Sequence, residues 1–231
     1  MIRELILALD AVGEDKSLRF LLLRGRGKHF SAGADLAWMQ QAAGLDYNAN
    51  LNDARELAEL MYNLAALKIP TLAVVQGAAI GGGLGLACSA DFRVACDESR
   101  FAANFSRLGF HQGFGLSVTL PRLIGEQKSL EMFYTGRRVK GDEAVEIGLA
   151  DVLVPLEQIR EKARDYAMEI AYSAPLAIKE IRATMRGDLA DRVRAATDHE
   201  LDVQTRLKAT ADFDEGVKAM SERRLPNFQG R

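Results

Sequence analysis

Two short segments concentrate small residues where the backbone could meet a ligand. Gly81-Gly82-Gly83-Leu84-Gly85 follows a strand-like run and stands at the mouth of a helix-like one. Glycine allows close approach and unusual dihedrals, so such a turn can present bare N–H groups to a ligand; tight packing of helix on strand is the competing explanation. Phe30-Ser31-Ala32-Gly33-Ala34-Asp35-Leu36 is the second segment, again between a strand-like run, LRFLLLRG, and a helix-like one. Its small side chains leave the backbone reachable, although alone it reads as a strand-to-helix loop with Asp35 as an N-cap. Nucleotide fingerprints do not fit the glycine turn. A dinucleotide motif needs glycine at i, i+2 and i+5, and the last position falls on Leu86 from Gly81 or on Cys88 from Gly83; a phosphate loop needs Lys where Leu86 follows Gly85.

Proton carriers are sparse. His111 lies in NFSRLGFHQGFGL, residues 104–116, and has the intrinsic pKa for acid/base work. Its neighbours Phe110 and Phe114 suit a packed or surface histidine equally well, and Asn104, Ser106 and Gln112 are weaker polar candidates. His29 flanks the first loop and His199 sits in a charged helical run, ATDHELD. Three isolated histidines lack ligand spacing, so no metal site is expected.

A scaffold of alternating elements must carry these segments. MIRELILALDAVGEDKS reads as an amphipathic helix bearing acids, which is not a signal peptide. Leu18 to Arg24 reads as a strand, and Leu57, Leu60, Met61 and Leu64 recur at helical spacing before Pro70, where the next strand begins. DFRVAC is another strand, FAANFSRLGF holds a short extended piece, and LSVTLPRLIG enters a helix interrupted at Pro121. Helical patterns dominate from Glu126, with GLADVLVP as a short strand and turn between them. Ile69 to Ala90 runs uncharged for 22 residues, but Pro70, Gln76, Ser89 and five glycines make it buried strand, turn and packed helix instead of a membrane span. The pattern predicts a layered α/β core over residues 1–170 and a helical C-terminal region over 171–231, with no repeat or flexible linker.

Composition sets the outer limits. The chain has 231 residues, 48% apolar and 27% charged, which excludes disorder and fibres. Thirty Lys+Arg against 32 Asp+Glu leave a net charge of -2, so no basic field exists for nucleic acid or an anionic membrane. Cys88 and Cys96 lack any Cys-x-x-Cys or Cys/His context and fit a reduced, cytoplasmic protein without a disulfide framework.

Taken together and in order, KHFSAGADL, IPTLAVVQGAAIGGGLGLACSADFRVA, GRRVKGDEAVEIGLADVLVP and DFDEGVKAMSERRLPNF resemble the successive blocks of the crotonase (enoyl-CoA hydratase/isomerase) superfamily, over essentially the whole chain. The resemblance implies a spiral of strand–strand–helix turns, an acyl-CoA thioester substrate, coenzyme A only as part of that substrate, and trimers or dimers of trimers built on the C-terminal helices. It assigns an oxyanion hole to the backbone N–H groups of Ala34 and Gly82. Coenzyme A would lie near Ala32 and Asp35, with Met220 by the adenine and Arg223 and Arg224 by the phosphates. Trp38, Gly85, Phe105, Phe110 and Phe114 would line the acyl pocket.

The chain departs from that pattern in two respects. Hydratases of the family place glutamates where Gly85 and Phe105 stand here, and some relatives place an aspartate where Gly113 stands. Neither glycine nor phenylalanine can move a proton, so ordinary hydration is not expected and His111 is the remaining candidate for catalysis. A catalytically silent acyl-CoA-binding protein is the rival expectation. The family's opening pair of strands has no counterpart ahead of Met1: either the start is misassigned, the sequence is shortened or the protein truly lacks those strands, and only in the last case would a sheet edge be exposed and the hold on coenzyme A weaken.

Overall fold

The structure, a computed structural model, describes residues 1–35 and 47–231. In chain order the elements are α1 (Ile2–Glu14), β1 (Leu21–Arg24), α2 (Tyr47–Ala66), β2 (Thr71–Val75), β3 (Ala78–Ile80), α3 (Gly82–Ser89), β4 (Phe92–Ala95), β5 (Arg100–Ala102), α4 (Leu116–Thr135), β6 (Val139–Lys140), α5 (Gly141–Glu146), β7 (Val152–Leu153), α6 (Ile159–Ala171), α7 (Pro175–Arg186), α8 (Leu189–Lys208) and α9 (Ala211–Ser221). One sheet runs β1-β2-β4-β7, all parallel; the other runs β3-β5-β6. Each pass of the chain therefore gives a strand to the first sheet, a strand to the second and then a helix, as β2-β3-α3 and β4-β5-α4 do. This is the strand–strand–helix spiral expected from the sequence, followed by the expected helical C-terminal region.

β2 explains why the apolar run TLAVV does not alternate. It lies between β1 and β4 and is buried at every position. Ala73 and Val75 join the core under α3 and α4, while Leu72 and Val74 pack with Val94, Ile159 and Ala163 on the other face. A parallel strand covered on both sides has no polar face to show.

The break in α4 falls at a different residue from the one expected. Pro121 sits inside a continuing helix, and the non-helical residue is Gly125, at φ 77 and ψ 165. Proline removes one backbone donor but its ring keeps a helical φ, whereas a positive φ is open chiefly to glycine.

α7 is fastened to the spiral by a buried ion cluster. Asp91 accepts from Arg182 Nε at 2.9 Å, Arg186 Nε at 2.8 Å and the Thr71 N–H at 2.8 Å. Arg182 also donates to the Leu67 carbonyl and Arg186 to that of Ser89.

Both cysteines are free and buried, and burial pushes the Cys88 thiol up to about 12. Ellman's reagent should therefore label neither thiol in the native protein and both after unfolding. Rapid labelling of the folded chain would contradict this packing. Among the described residues, no helix is long and apolar enough to cross a membrane.

Candidate active site

Backbone bonding brings the two small-residue segments together. The Ser31 N–H donates to the Ala78 carbonyl at 2.9 Å and the Ile80 N–H donates to the Ser31 carbonyl at 3.0 Å, so the first loop adds a single parallel bridge to β3. Gln76 Nε2 holds the preceding stretch through the Gly25 carbonyl at 2.9 Å, and the Ala78 N–H donates to His29 Nδ1 at 3.2 Å. That bond makes Nδ1 an acceptor and puts the proton of the neutral ring on Nε2. Beyond the bridge the chain turns at Gly33, φ 93, where a Cβ would stand 2.9 Å from the Ile80 carbonyl oxygen.

β3 then leads straight into the glycine turn. Gly81 adopts φ 54, and Gly82 opens α3. First-turn N–H groups have no intrahelical acceptor, and the helix dipole favours negative charge beside them. Gly83 makes the contact with the first loop: a Cβ there would overlap the Ser31 carbonyl oxygen. Ala34 and Gly82 thus stand on two segments locked to one strand.

Both segments line a cavity of about 510 Å³. Ala32, Ala34 and Gly82 form one part of its wall, and Phe105, Phe110 and Phe114 form another. Phe213 and Met220 of α9 also reach it, with Phe110 and Phe213 in ring contact at 5.2 Å. The titratable residues on the wall are His29, Glu98, Arg100, Arg138 and Lys208, among the described residues.

The other predicted positions lie elsewhere. Gly85 is covered by Phe114: a Cβ would overlap Phe114 Cβ and stand 3.2 Å from its carbonyl oxygen. A Cβ on Gly82 would meet the same ring at 2.8 Å. His111 is half-buried and off the cavity wall, with Nδ1 at 2.7 Å from the Gln112 carbonyl and its ring edge-on to His199 at 6.2 Å. Burial holds its pKa below the ordinary value, His199 adds to this and the Gln112 carbonyl opposes it. Arg224 forms a two-pronged pair with Glu215 at 2.6 and 2.8 Å and a further bond to Glu222 at 2.6 Å. The Arg224 pair, with the Asn227 N–H, brings the Glu215 carboxyl down to about 2. Arg223 follows α9 at φ 56 and makes no ion pair among the described residues. Asp35 is exposed and off the wall, and Trp38 lies outside the described residues, as does Met39.

Three residues of α8 that local sequence rules passed over stand at or beside the cavity. Gln204 and Lys208 reach the cavity, and Glu200, 1% exposed, accepts the Gly115 N–H at 2.8 Å and the Ser117 N–H at 3.0 Å. Their spacing of four puts them on one face, and Thr197, Glu200 and Gln204 are all buried. A polar stripe on the face that packs inward was the available signal. Gln204 Nε2 also donates to the His111 carbonyl at 3.0 Å, and a Cβ on Gly113 would overlap it.

Chemically, the wall offers backbone donors, amides and aromatic rings beside one another. Such donors can hold developing negative charge on a carbonyl oxygen, and the surrounding apolar surface strengthens them. No pair of carboxylates faces the cavity among the described residues.

Comparison with known proteins shows which family the chain belongs to. The crotonyl-CoA hydratase of Syntrophomonas wolfei is 34% identical over 226 residues, covering 96% of this chain and 84% of its own length. The 2,3-dehydroadipyl-CoA hydratase of Escherichia coli is 31% identical over 231 residues, covering 100% and 89%. A crystal structure of an enoyl-CoA hydratase from Bacillus anthracis matches with a TM-score of 0.77 at 31% identity, covering 100% of this chain and 88% of that one. The fold of an enoyl-CoA hydratase from Mycobacterium avium subsp. paratuberculosis superposes with a TM-score of 0.88 at 24% identity, covering 99% and 87%. The family model for enoyl-CoA hydratase/isomerase matches residues 1–231, so the chain belongs to the enoyl-CoA hydratase/isomerase family of the crotonase superfamily.

Proposed function

We propose that the protein processes acyl-CoA thioesters by stabilising an enolate oxygen between the N–H groups of Ala34 and Gly82, and that it does not perform ordinary two-carboxylate hydration. The observation that carries this reading is the lock between Ser31, β3 and Gly83, which holds the two donor segments side by side at an apolar cavity. Enolisation or attack puts negative charge on the thioester oxygen, and two preorganised donors lower that barrier by roughly 3 kcal/mol or more. Two-carboxylate hydration needs a pair of carboxylates to orient water and pass its proton to the α-carbon, and at the family's two glutamate positions this chain has Gly85 and Phe105. Coenzyme A serves as part of the substrate and no resident cofactor is required. Of the two proposed phosphate-binding arginines, Arg223 is the better placed, because Arg224 is occupied by Glu215 and Glu222.

A trimer, or a dimer of trimers, is proposed on the same footing. Tyr172, Leu176, Ile181 and Met185 are 83, 75, 58 and 71% exposed around α7, which is much apolar surface to leave in water.

The test is calorimetric titration with free coenzyme A and a panel of enoyl- and ring-bearing acyl-CoAs, each mixture then examined by mass spectrometry. Binding with turnover identifies the reaction and makes His111→Ala the next variant. Binding without turnover supports the silent acyl-CoA binder, and absence of any binding overturns the reading. The packing of Phe114 on Gly85 adds a second expectation. Gly85→Glu with Phe105→Glu should stay inactive toward crotonyl-CoA, because Phe114 fills the space of the first carboxylate. Adding Phe114→Gly, which suits the positive φ there, should let hydration appear. Hydration by the double variant alone would show that Phe114 yields freely.

A further inference from the structure

The large cavity shares a wall with a second, smaller one. A hollow of about 20 Å³ lies between α2 and α8, and Leu57, Phe114 and Gln204 border both spaces. Ala58 of α2 and Thr197, Glu200 and Leu201 of α8 complete its lining. Phe114 is the largest side chain in that shared wall, and its ring also covers Gly82 and packs at 6.3 Å from that of Phe105.

Phe114 holds this place in a backbone conformation that its side chain disfavours. Its φ is 65, and Gly115 follows at φ 68. Two left-handed residues in succession do not persist unless their surroundings over-determine them. The ring is packed against Gly82, Gly85 and Phe105, the Leu116 N–H donates across the turn to the Gly113 carbonyl at 3.2 Å, and a buried carboxylate holds the backbone from the other side. Glu200 takes the Gly115 N–H on one oxygen and the Ser117 N–H on the other, and thereby closes the N-terminal end of α4 immediately after Phe114. Burial raises the Glu200 pKa, and the Ser117 hydroxyl, these two N–H groups and the neighbouring His199 offset part of that cost.

We infer that Glu200 is a positioning residue for chain-length selectivity: by clamping Gly115 and Ser117 it holds Phe114 as the partition between the two cavities, and so sets how long an acyl group the site accepts. This rests on the reading that the acyl group lies against Gly82. With the partition in place, a chain that has filled the main cavity gains nothing from further methylenes. With the partition released, the main cavity opens into the space between α2 and α8.

Calorimetric titration with saturated acyl-CoAs from butyryl to palmitoyl tests this on the full chain. In the wild type, affinity should rise with length and then level off. Phe114→Ala should move that limit to longer chains, each two further buried methylenes tightening binding by roughly tenfold. Glu200→Gln keeps the size of the side chain but replaces one acceptor oxygen with a donor, and should move the limit in the same direction. In a Phe114→Ala background it should add no further extension. Glu200→Asp, which retains the charge but withdraws it by one methylene, is the second variant should the glutamine form fail to fold. A lowered melting temperature with the limit unmoved would reduce Glu200 to a purely structural role and overturn the inference, as would an unmoved limit in Phe114→Ala. A wild type that binds no acyl-CoA of any length would overturn the acyl-CoA reading itself.

Discussion

Gly83→Ala should cut turnover by about 100- to 1,000-fold on whichever acyl-CoA the protein converts, the loss expected when one oxyanion donor is displaced. The added methyl would overlap the Ser31 carbonyl oxygen and stand 2.8 Å from Ser31 Cβ. Neither atom can give way cheaply, since that carbonyl is bonded to the Ile80 N–H and the adjacent N–H to Ala78. The first loop must move off β3, and it carries Ala34 with it. Gly13→Ala is the matched control, because a Cβ there meets nothing within 4 Å and the residue lies inside α1. It should leave kcat unchanged. Equal activity of the two variants in steady-state assays would separate the Ser31–Gly83 contact from catalysis.

The second large effect belongs to stability. Asp91→Asn should destabilise the fold by about 3–5 kcal/mol, the usual cost of leaving a buried charge without its partner. Here two cations lose one anion. Burial brings Arg186 down to about 10 even with Asp91 present, and Arg182 is 9% exposed. For a chain of this size the melting temperature should fall by about 10 °C, measured by calorimetry at neutral pH. The acid side gives an independent reading. Burial alone would raise the Asp91 pKa, but Arg186 and Arg182, with the Thr71 N–H, outweigh it and hold the carboxyl below its ordinary value. A carboxyl lowered in the folded state contributes stability that is complete above its unfolded pKa of about 3.9 and is lost as pH falls through the folded value. Wild type and variant should therefore converge below about pH 4. A constant gap down to strong acid would mean that the asparagine acts through packing and not through charge.

How far the sequence alone reaches follows from which rules are local. β2 was legible because an uninterrupted apolar run bounded by proline and glycine has few other uses, and the meeting of the two small-residue segments was legible because their spacing and composition match a family. Phe114 covering Gly85 was not. Those residues sit on different passes of the spiral, and no periodicity connects them. The same holds for Glu200, which reaches Gly115 from a helix that its own sequence presents as a charged amphipathic one. His111 shows the limit of reading chemistry from residue type alone. Its side-chain chemistry suited catalysis, but the main chain around it is bonded to Gln204 and its ring lies against His199, away from the cavity wall. In α4, proline was the expected breaker, whereas the non-helical residue is Gly125, whose φ of 77 is open chiefly to glycine.

The cavity wall begins at His29 and ends at Met220, with α9 supplying its last side chains. During synthesis, the pocket cannot close until nearly the whole of this sequence has left the ribosome. A product released early would carry Ala34, Gly82 and the entire glycine turn, yet would lack Phe213, which packs on Phe110. Removing α9 would therefore take Phe213 and Met220 out of the cavity wall while leaving both small-residue segments in place.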